Sequence, residues 1–326
     1  MTHPHPLDSI EPPTVVVRLA TALDPLREQQ IGPGEPIGAA LRRICLGRLD
    51  RAIENLTDPA IERNEGVHTA RKGLKRVRAI IRLTRDTVGY SAYRQENVVL
   101  RDTARALAPV RDSFVMVQTL DGLTGRYRRL LAPDAFSDMR RVLIDRHRET
   151  FARVAGDRQV VADVVTNLRT CRRRFASWPG EGVGPGLVPD LFGSIASGLY
   201  RVYRRGRRGM AAALDQETAG AYHEWRKRAK YLRYQLEALE PLWPSLIGGL
   251  VKELDALGET LGDEHDLDQL GRLATGEGGR VLRALIAEER AALRAAAAAG
   301  GARTYAERPD EFVRRIGAYW AASGRH

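Results

Sequence analysis

His68-x-x-Arg71-Lys72-x-x-Lys75-x-x-Arg78 recurs as His223-x-x-Arg226-Lys227-x-x-Lys230-x-x-Arg233, the same residue types at the same spacing 155 positions later. At about 100° per residue these positions fall within a sector of roughly 120° on one side of a helix. The other side of the first copy carries Val67, Leu74, Val77, Ile80 and Ile81, which predicts a helix with one basic and one core-facing side. No Asp or Glu lies between His68 and Arg85, and the second copy has only Glu224, which points off the stripe. Arg82 extends the first stripe by one turn.

Lysine usage sharpens the pattern. The chain holds 52 Lys plus Arg, yet its only lysines are Lys72, Lys75, Lys227, Lys230 and Lys252. All but one of them sit in the two copies. Elsewhere the chain takes its positive charge from Arg, so these positions call for a compact ammonium with rotatable donors rather than a planar fork. A repeated frame of this kind is more than a solvated charge run.

The formal net charge is +11 and the pI is near 10.0, which point to a polyanionic partner. Aromatic residues make up only 6% of the chain, thin for a protein that stacks on many bases. Cys45 and Cys171 lie far apart with no CxxC, which argues against a disulfide framework or a zinc site. No secretory leader and no long apolar span is visible, so a cytoplasmic protein without a membrane partner is expected.

Residues 1–34 are proline-rich and read as a loose N-terminal tail, with incidental His3 and His5 and a short strand at most over Val15–Val17. From Glu35 the pattern is helical nearly throughout. Helices are expected near 35–56, 66–87, 91–108, 112–131, 136–155 and 158–178, then near 188–214, 218–240, 245–262, 264–274, 278–299 and 309–322. The glycine-rich run at 179–187 follows no strand, which argues against a dinucleotide or phosphate loop and favours a hinge. That divides the main domain, 35–326, into halves at 35–178 and 188–326. A weaker match supports duplication: Leu107-Ala108-Pro109-Val110-Arg111-Asp112 aligns with Leu261-Gly262-Asp263-Glu264-His265-Asp266 at an offset of 154.

With the doubled HxxRKxxKxxR motif and the Leu-x-x-x-x-Asp segment after each copy, the sequence resembles the CHAD family, the conserved histidine α-helical domain, over roughly 35–322. The resemblance implies an all-α fold of two antiparallel four-helix-bundle halves related by a pseudo-twofold axis, with a basic central groove. It also implies binding of inorganic polyphosphate and association with polyphosphate granules. Some relatives carry an N-terminal triphosphate-tunnel domain; the short tail here, without a Glu-x-Glu-x-Lys signature, gives no ground for carrying over a triphosphatase activity.

The candidate polyphosphate-binding residues are His68, Arg71, Lys72, Lys75, Arg78, Arg82, His223, Arg226, Lys227, Lys230 and Arg233, with Arg201, Arg204, Arg205 and Arg208 as a possible further cluster on one helix face. Arg172, Arg173 and Arg174 read as surface charge. His68 and His223 have no carboxylate one turn away and sit among cations, so phosphate donation or a role at the helix start is preferred to metal ligation. Asp263-Glu264-His265-Asp266-Asp268 is the better metal candidate by composition; Asp112 and Asp266 read as helix caps or partners that orient basic side chains. No cofactor is expected, and neither stripe supplies the carboxylates or base that phosphoryl transfer requires, so binding without catalysis is expected. Nucleic acid is the secondary partner, suggested by Trp225, Tyr231 and Tyr234 within the second copy.

Overall fold

The computed structural model of the protein describes residues 27–177 and 188–325. The reading of 1–26, including His3, His5 and Val15–Val17, and the hinge at 179–187 lie outside the described residues. Within them the fold is all-α, with twelve α-helices and no strand. The helices are α1 (Ile37–Thr57), α2 (Arg63–Leu83), α3 (Arg85–Val88), α4 (Tyr90–Ala106), α5 (Ala108–Arg126), α6 (Ser137–Val154) and α7 (Arg158–Ala176), then α8 (Gly193–Gln216), α9 (Ala219–Leu239), α10 (Pro244–Leu273), α11 (Gly276–Thr304) and α12 (Pro309–Ala322). Packing begins ahead of Glu35: Ile31 is buried, and its N–H donates to the Ala238 carbonyl oxygen at 2.9 Å.

The basic motifs sit on α2 and α9. Glu62 caps α2 by accepting from the N–H groups of Asn64 and Glu65, and Thr218 caps α9 by accepting from Ala221. Val67, Leu74, Val77, Ile80 and Ile81 are all buried, as the helical pattern requires. Each such side chain contributes about 1.5–3 kcal/mol on burial. The helix expected over 66–87 begins earlier, at its cap, and breaks at Thr84; Gly89, with φ 91°, then turns the chain into α4.

Helices α1 and α2 form one tight hairpin, α8 and α9 another, and α2 packs against α9. Gly66 allows the closest approach in the first hairpin, since a Cβ there would lie 2.2 Å from the Asn55 carbonyl oxygen. Later elements repeat the order: α7 covers α1 as α12 covers α8, and α5 pairs with α6 as α10 pairs with α11. The largest apolar core runs through both hairpins. A smaller one joins Met116, Leu120 and Leu143 to Leu267, Leu270 and Ile286, so it also draws on both halves of the chain.

The halves differ where α4 meets α5. Pro109 lies in the first turn of α5, and its missing N–H leaves a break at Leu107. At the aligned position the second half has Asp263, and α10 runs unbroken from Pro244 to Leu273. The two helices expected over 245–262 and 264–274 are therefore one.

Candidate polyanion-binding groove

Packing α2 against α9 brings the two stripes together. Gln235 donates to the Ala79 carbonyl oxygen at 3.0 Å in the buried interface. The Arg82 guanidinium lies 4.2 Å from the Tyr231 ring centroid, and Arg76 pairs with Glu237 at 3.2 Å. These two contacts are related: a shift of 155 positions carries Arg82 onto Glu237 and Tyr231 back onto Arg76.

Beside these contacts stand Lys75, next to Arg76, and Lys230, next to Tyr231, the same position in each motif copy. Neither has a hydrogen-bond or ion-pair partner among the described residues. Burial lowers the Lys75 pKa to about 8, assisted by the Arg71 and Arg226 charges. Lys230 is pushed down to about 7 by burial, then by Arg226 and by Lys75 itself. The stem of Lys230 runs along α10 at Gly258, where a Cβ would sit 3.6 Å from its Cε. Lys72, exposed on the same side of α2, also has no partner, and burial with the Arg76 and Arg233 charges lowers its pKa.

The arginines divide into committed and free groups. Arg71 donates to the Ala108 carbonyl oxygen at 2.6 Å, with Asp112 at 3.3 Å. That carbonyl oxygen stands at the break Pro109 creates. Arg226 occupies the matching place beside Gly262, where a Cβ would meet its Nη2 at 3.1 Å. There the helix is continuous, and the buried Arg226 Nε finds no partner. Arg78 and Arg82 share the Asn97 side-chain oxygen at 3.2 and 2.7 Å. Arg233 is held by Glu237, at 3.0 Å, and by Asp255. Lys227 pairs with Glu224.

His68 is exposed, yet desolvation plus Arg111, Lys72 and Lys75 push its pKa down to about 4. His223 falls to about 4 as well, through burial and then His265, whose ring centroid is 4.3 Å away. Its Nδ1 is buried without a partner. His265 aligns with Arg111, so one half places a permanent cation beside its motif histidine where the other places a second, neutral imidazole.

The further arginine cluster is split. Arg201 and Arg205 turn toward Arg82, Arg85 and Arg228 around a narrow cleft, whereas Arg204 lies over the Tyr200 ring and Arg208 is exposed. Helical spacing placed all four together; the partners packed against α8 separate them. Arg174 is not merely surface charge, since it pairs at 2.9 Å with buried Glu96, which also accepts from the Cys171 thiol. In the acidic segment, Glu264 is 1% exposed and taken by Arg290 and Arg294 from α11, and Asp268 pairs with Arg272 and Arg290. No group of three potential metal ligands occurs among the described residues. Asp112 acts as a partner for Arg71, and both it and Asp266 lie inside helices rather than at caps. Among the described residues, no helix is long and apolar enough to cross a membrane.

Sequence reasoning missed Arg76 and Glu237, which close one end of the α2–α9 contact. Glu237 stands in the second copy where Arg82 stands in the first, so extending the alignment by one turn exposes the difference. A comparison with curated proteins finds no match. The CHAD domain family model matches residues 43–275, spanning both motif copies and the whole α2–α9 contact, and the chain belongs to that family.

Proposed function

We propose that the protein binds inorganic polyphosphate, without turnover, along the groove between α2 and α9. The observation that carries this reading is the pair Lys75 and Lys230, both largely desolvated, neither held by a hydrogen bond or ion pair among the described residues, with the Lys75 charge felt at Lys230. Like charges held close and partly desolvated destabilise the empty protein, and a polyanion relieves that repulsion. Lys72 and Arg226 extend the unpaired set, and a linear chain of phosphates meets such a row with one charge per unit.

The exchange of Arg82–Tyr231 with Arg76–Glu237 supports a pseudo-twofold axis between the two lysines, and hence the duplicated halves. Family resemblance points to the same ligand and to granule-associated protein in a cytoplasmic setting. Trp225 is 0% exposed, and the Tyr231 and Tyr234 rings are faced by Arg82 and Arg76, which weighs against base stacking and so against nucleic acid. Asp112, Glu224 and Glu237 serve as ion-pair partners of stripe cations, which favours binding over phosphoryl transfer.

A calorimetric titration with polyphosphates of graded length, with ATP and RNA as controls, tests the proposal. Affinity is expected to rise with chain length, and long polyphosphate should displace RNA at far lower phosphate concentration than the reverse. Equal binding of RNA per phosphate would contradict it.

A further inference from the structure

Beyond the groove, Arg82, Arg85, Arg201, Arg205 and Arg228 converge with Tyr93 and Tyr231 on one cleft between α2, α3, α4, α8 and α9. Two carboxylates offset part of this charge. Asp86 is shared by Arg201, at 2.7 Å, and Arg85, at 3.1 Å; Glu224 is shared by Arg228 and Lys227. Arg205 has no partner among the described residues, and its pKa is lowered by desolvation and by the Arg228 and Arg85 charges. Arg82 lies over Tyr93 as well as Tyr231, so these ring faces are taken and leave no stacking surface. The cleft is narrow and suits one small group rather than a passing chain.

The opposite end of the α2–α9 contact is built differently. There Glu237 replaces Arg82, with Arg76, Arg233 and Asp255 closed around it. One end of the groove is thus sealed by ion pairs, and the other opens into a concentration of guanidinium groups. An internal phosphate of a polyphosphate carries a single charge, whereas the terminal group has one more ionisable oxygen, titrating near about pH 6 as in other phosphate monoesters. That extra charge and extra acceptor match the denser donor set.

We propose that this cleft is a terminal-phosphate subsite that takes the end group of a polyphosphate chain lying in the groove. The proposal rests on the polyphosphate reading and adds a preference for free ends. Short chains, in which ends are a large share of the phosphates, gain most from it.

The test compares short polyphosphate with free ends against the same chains capped at both ends as phosphoramidates, on wild type and on Arg205→Gln, with long uncapped polyphosphate as reference. Capping is expected to weaken short-chain binding to wild type by about tenfold, the value of one charge-assisted hydrogen bond, and to matter little in Arg205→Gln. Long chains binding while capped and uncapped short chains bind wild type equally would overturn the subsite alone. An equal capping effect in both proteins would overturn its assignment to this cleft. Millimolar orthophosphate erasing the difference would identify free phosphate as the occupant and overturn the chain-end assignment. Failure of long chains to bind at all would overturn the polyphosphate reading and the subsite together.

Discussion

The two motif copies are alike in residue type and unlike in what their cations do. In the first, Arg71 is spent on the Ala108 carbonyl oxygen, next to the break at Leu107, and on Asp112. In the second, the continuous α10 offers no such acceptor, and Arg226 remains with an unsatisfied Nε over Gly262. The reverse holds for the neighbouring lysine: Lys72 is unpaired, whereas Lys227 is held by Glu224. The repeated motif thus differs between its copies, each pairing some cations within the fold and leaving others unpaired among the described residues. Among the described residues, Lys75 and Lys230 are the one aligned pair of motif cations for which neither copy has an ion-pair or hydrogen-bond partner.

The largest effect is expected at that shared position. Replacing Lys75 and Lys230 together by Met should weaken polyphosphate binding roughly a hundredfold or more, as two charge-assisted contacts are lost. The same change should raise the melting temperature of the empty protein, because the repulsion disappears while the stems still pack. Calorimetric binding and thermal melts check both halves of this expectation. A variant that binds normally would remove the lysine pair from the site.

Next comes the division between the arginines. Arg226→Gln should reduce affinity by about tenfold and cost less stability than the matching Arg71 change, since it loses no direct hydrogen bond or ion pair among the described residues, only the attraction of Asp266 and Asp263. Arg71→Gln should instead cost about 1.5–3 kcal/mol of stability, by removing hydrogen bonds from a charged donor, with a smaller effect on binding. Denaturant titrations set beside binding isotherms separate the two outcomes. Identical behaviour of the two variants would break the comparison.

Proton linkage gives a third expectation. Lys230 loses its proton near about 7 and Lys75 near about 8, below the ordinary lysine value of 10.5. Between those values and 10.5 the unfolded chain holds protons that the empty folded protein has released. Stability of the empty protein therefore rises with pH across that window and is lowest below it. Affinity runs the other way: it should fall as pH climbs through 7 to 8, because the ligand requires the ammonium forms. In the Lys75→Met, Lys230→Met protein the profile should flatten, and an unchanged profile would assign the titration elsewhere.

The smallest change makes the second half resemble the first. His265→Arg supplies the permanent charge that Arg111 provides beside His68, and should strengthen binding a few-fold at low salt, less at physiological ionic strength. Affinity measured at two salt concentrations decides it; weaker binding at low salt would mean that the His223–His265 contact itself positions the site.

Much of this was legible in the sequence. The apolar face of α2 and the basic stripes follow from spacing alone, because a helix fixes which residues share a side. The state of each cation was not, because its partner lies far along the chain. Asp86 meets Arg201 across 115 positions, and Arg174 meets Glu96 across 78. The acidic run at 263–268 reads as a break or a metal site until Arg290 and Arg294 arrive from α11 to take Glu264. Pro109 was visible, but its consequence was not: the break between α4 and α5 matters to the site only because Arg71 lies against the Ala108 carbonyl oxygen beside it.

The most direct test of the account is a calorimetric titration with long-chain polyphosphate near pH 7.5 in two buffers of different ionisation enthalpy. If the ligand is held by Lys75 and Lys230, binding should draw about one proton from the buffer, as two lysines with values of about 8 and about 7 become fully charged. The observed heats should then differ between buffers in proportion to their ionisation enthalpies, and should cease to differ in the double Lys→Met protein. Tight binding with the same heat in both buffers, or no binding at all, would contradict the account.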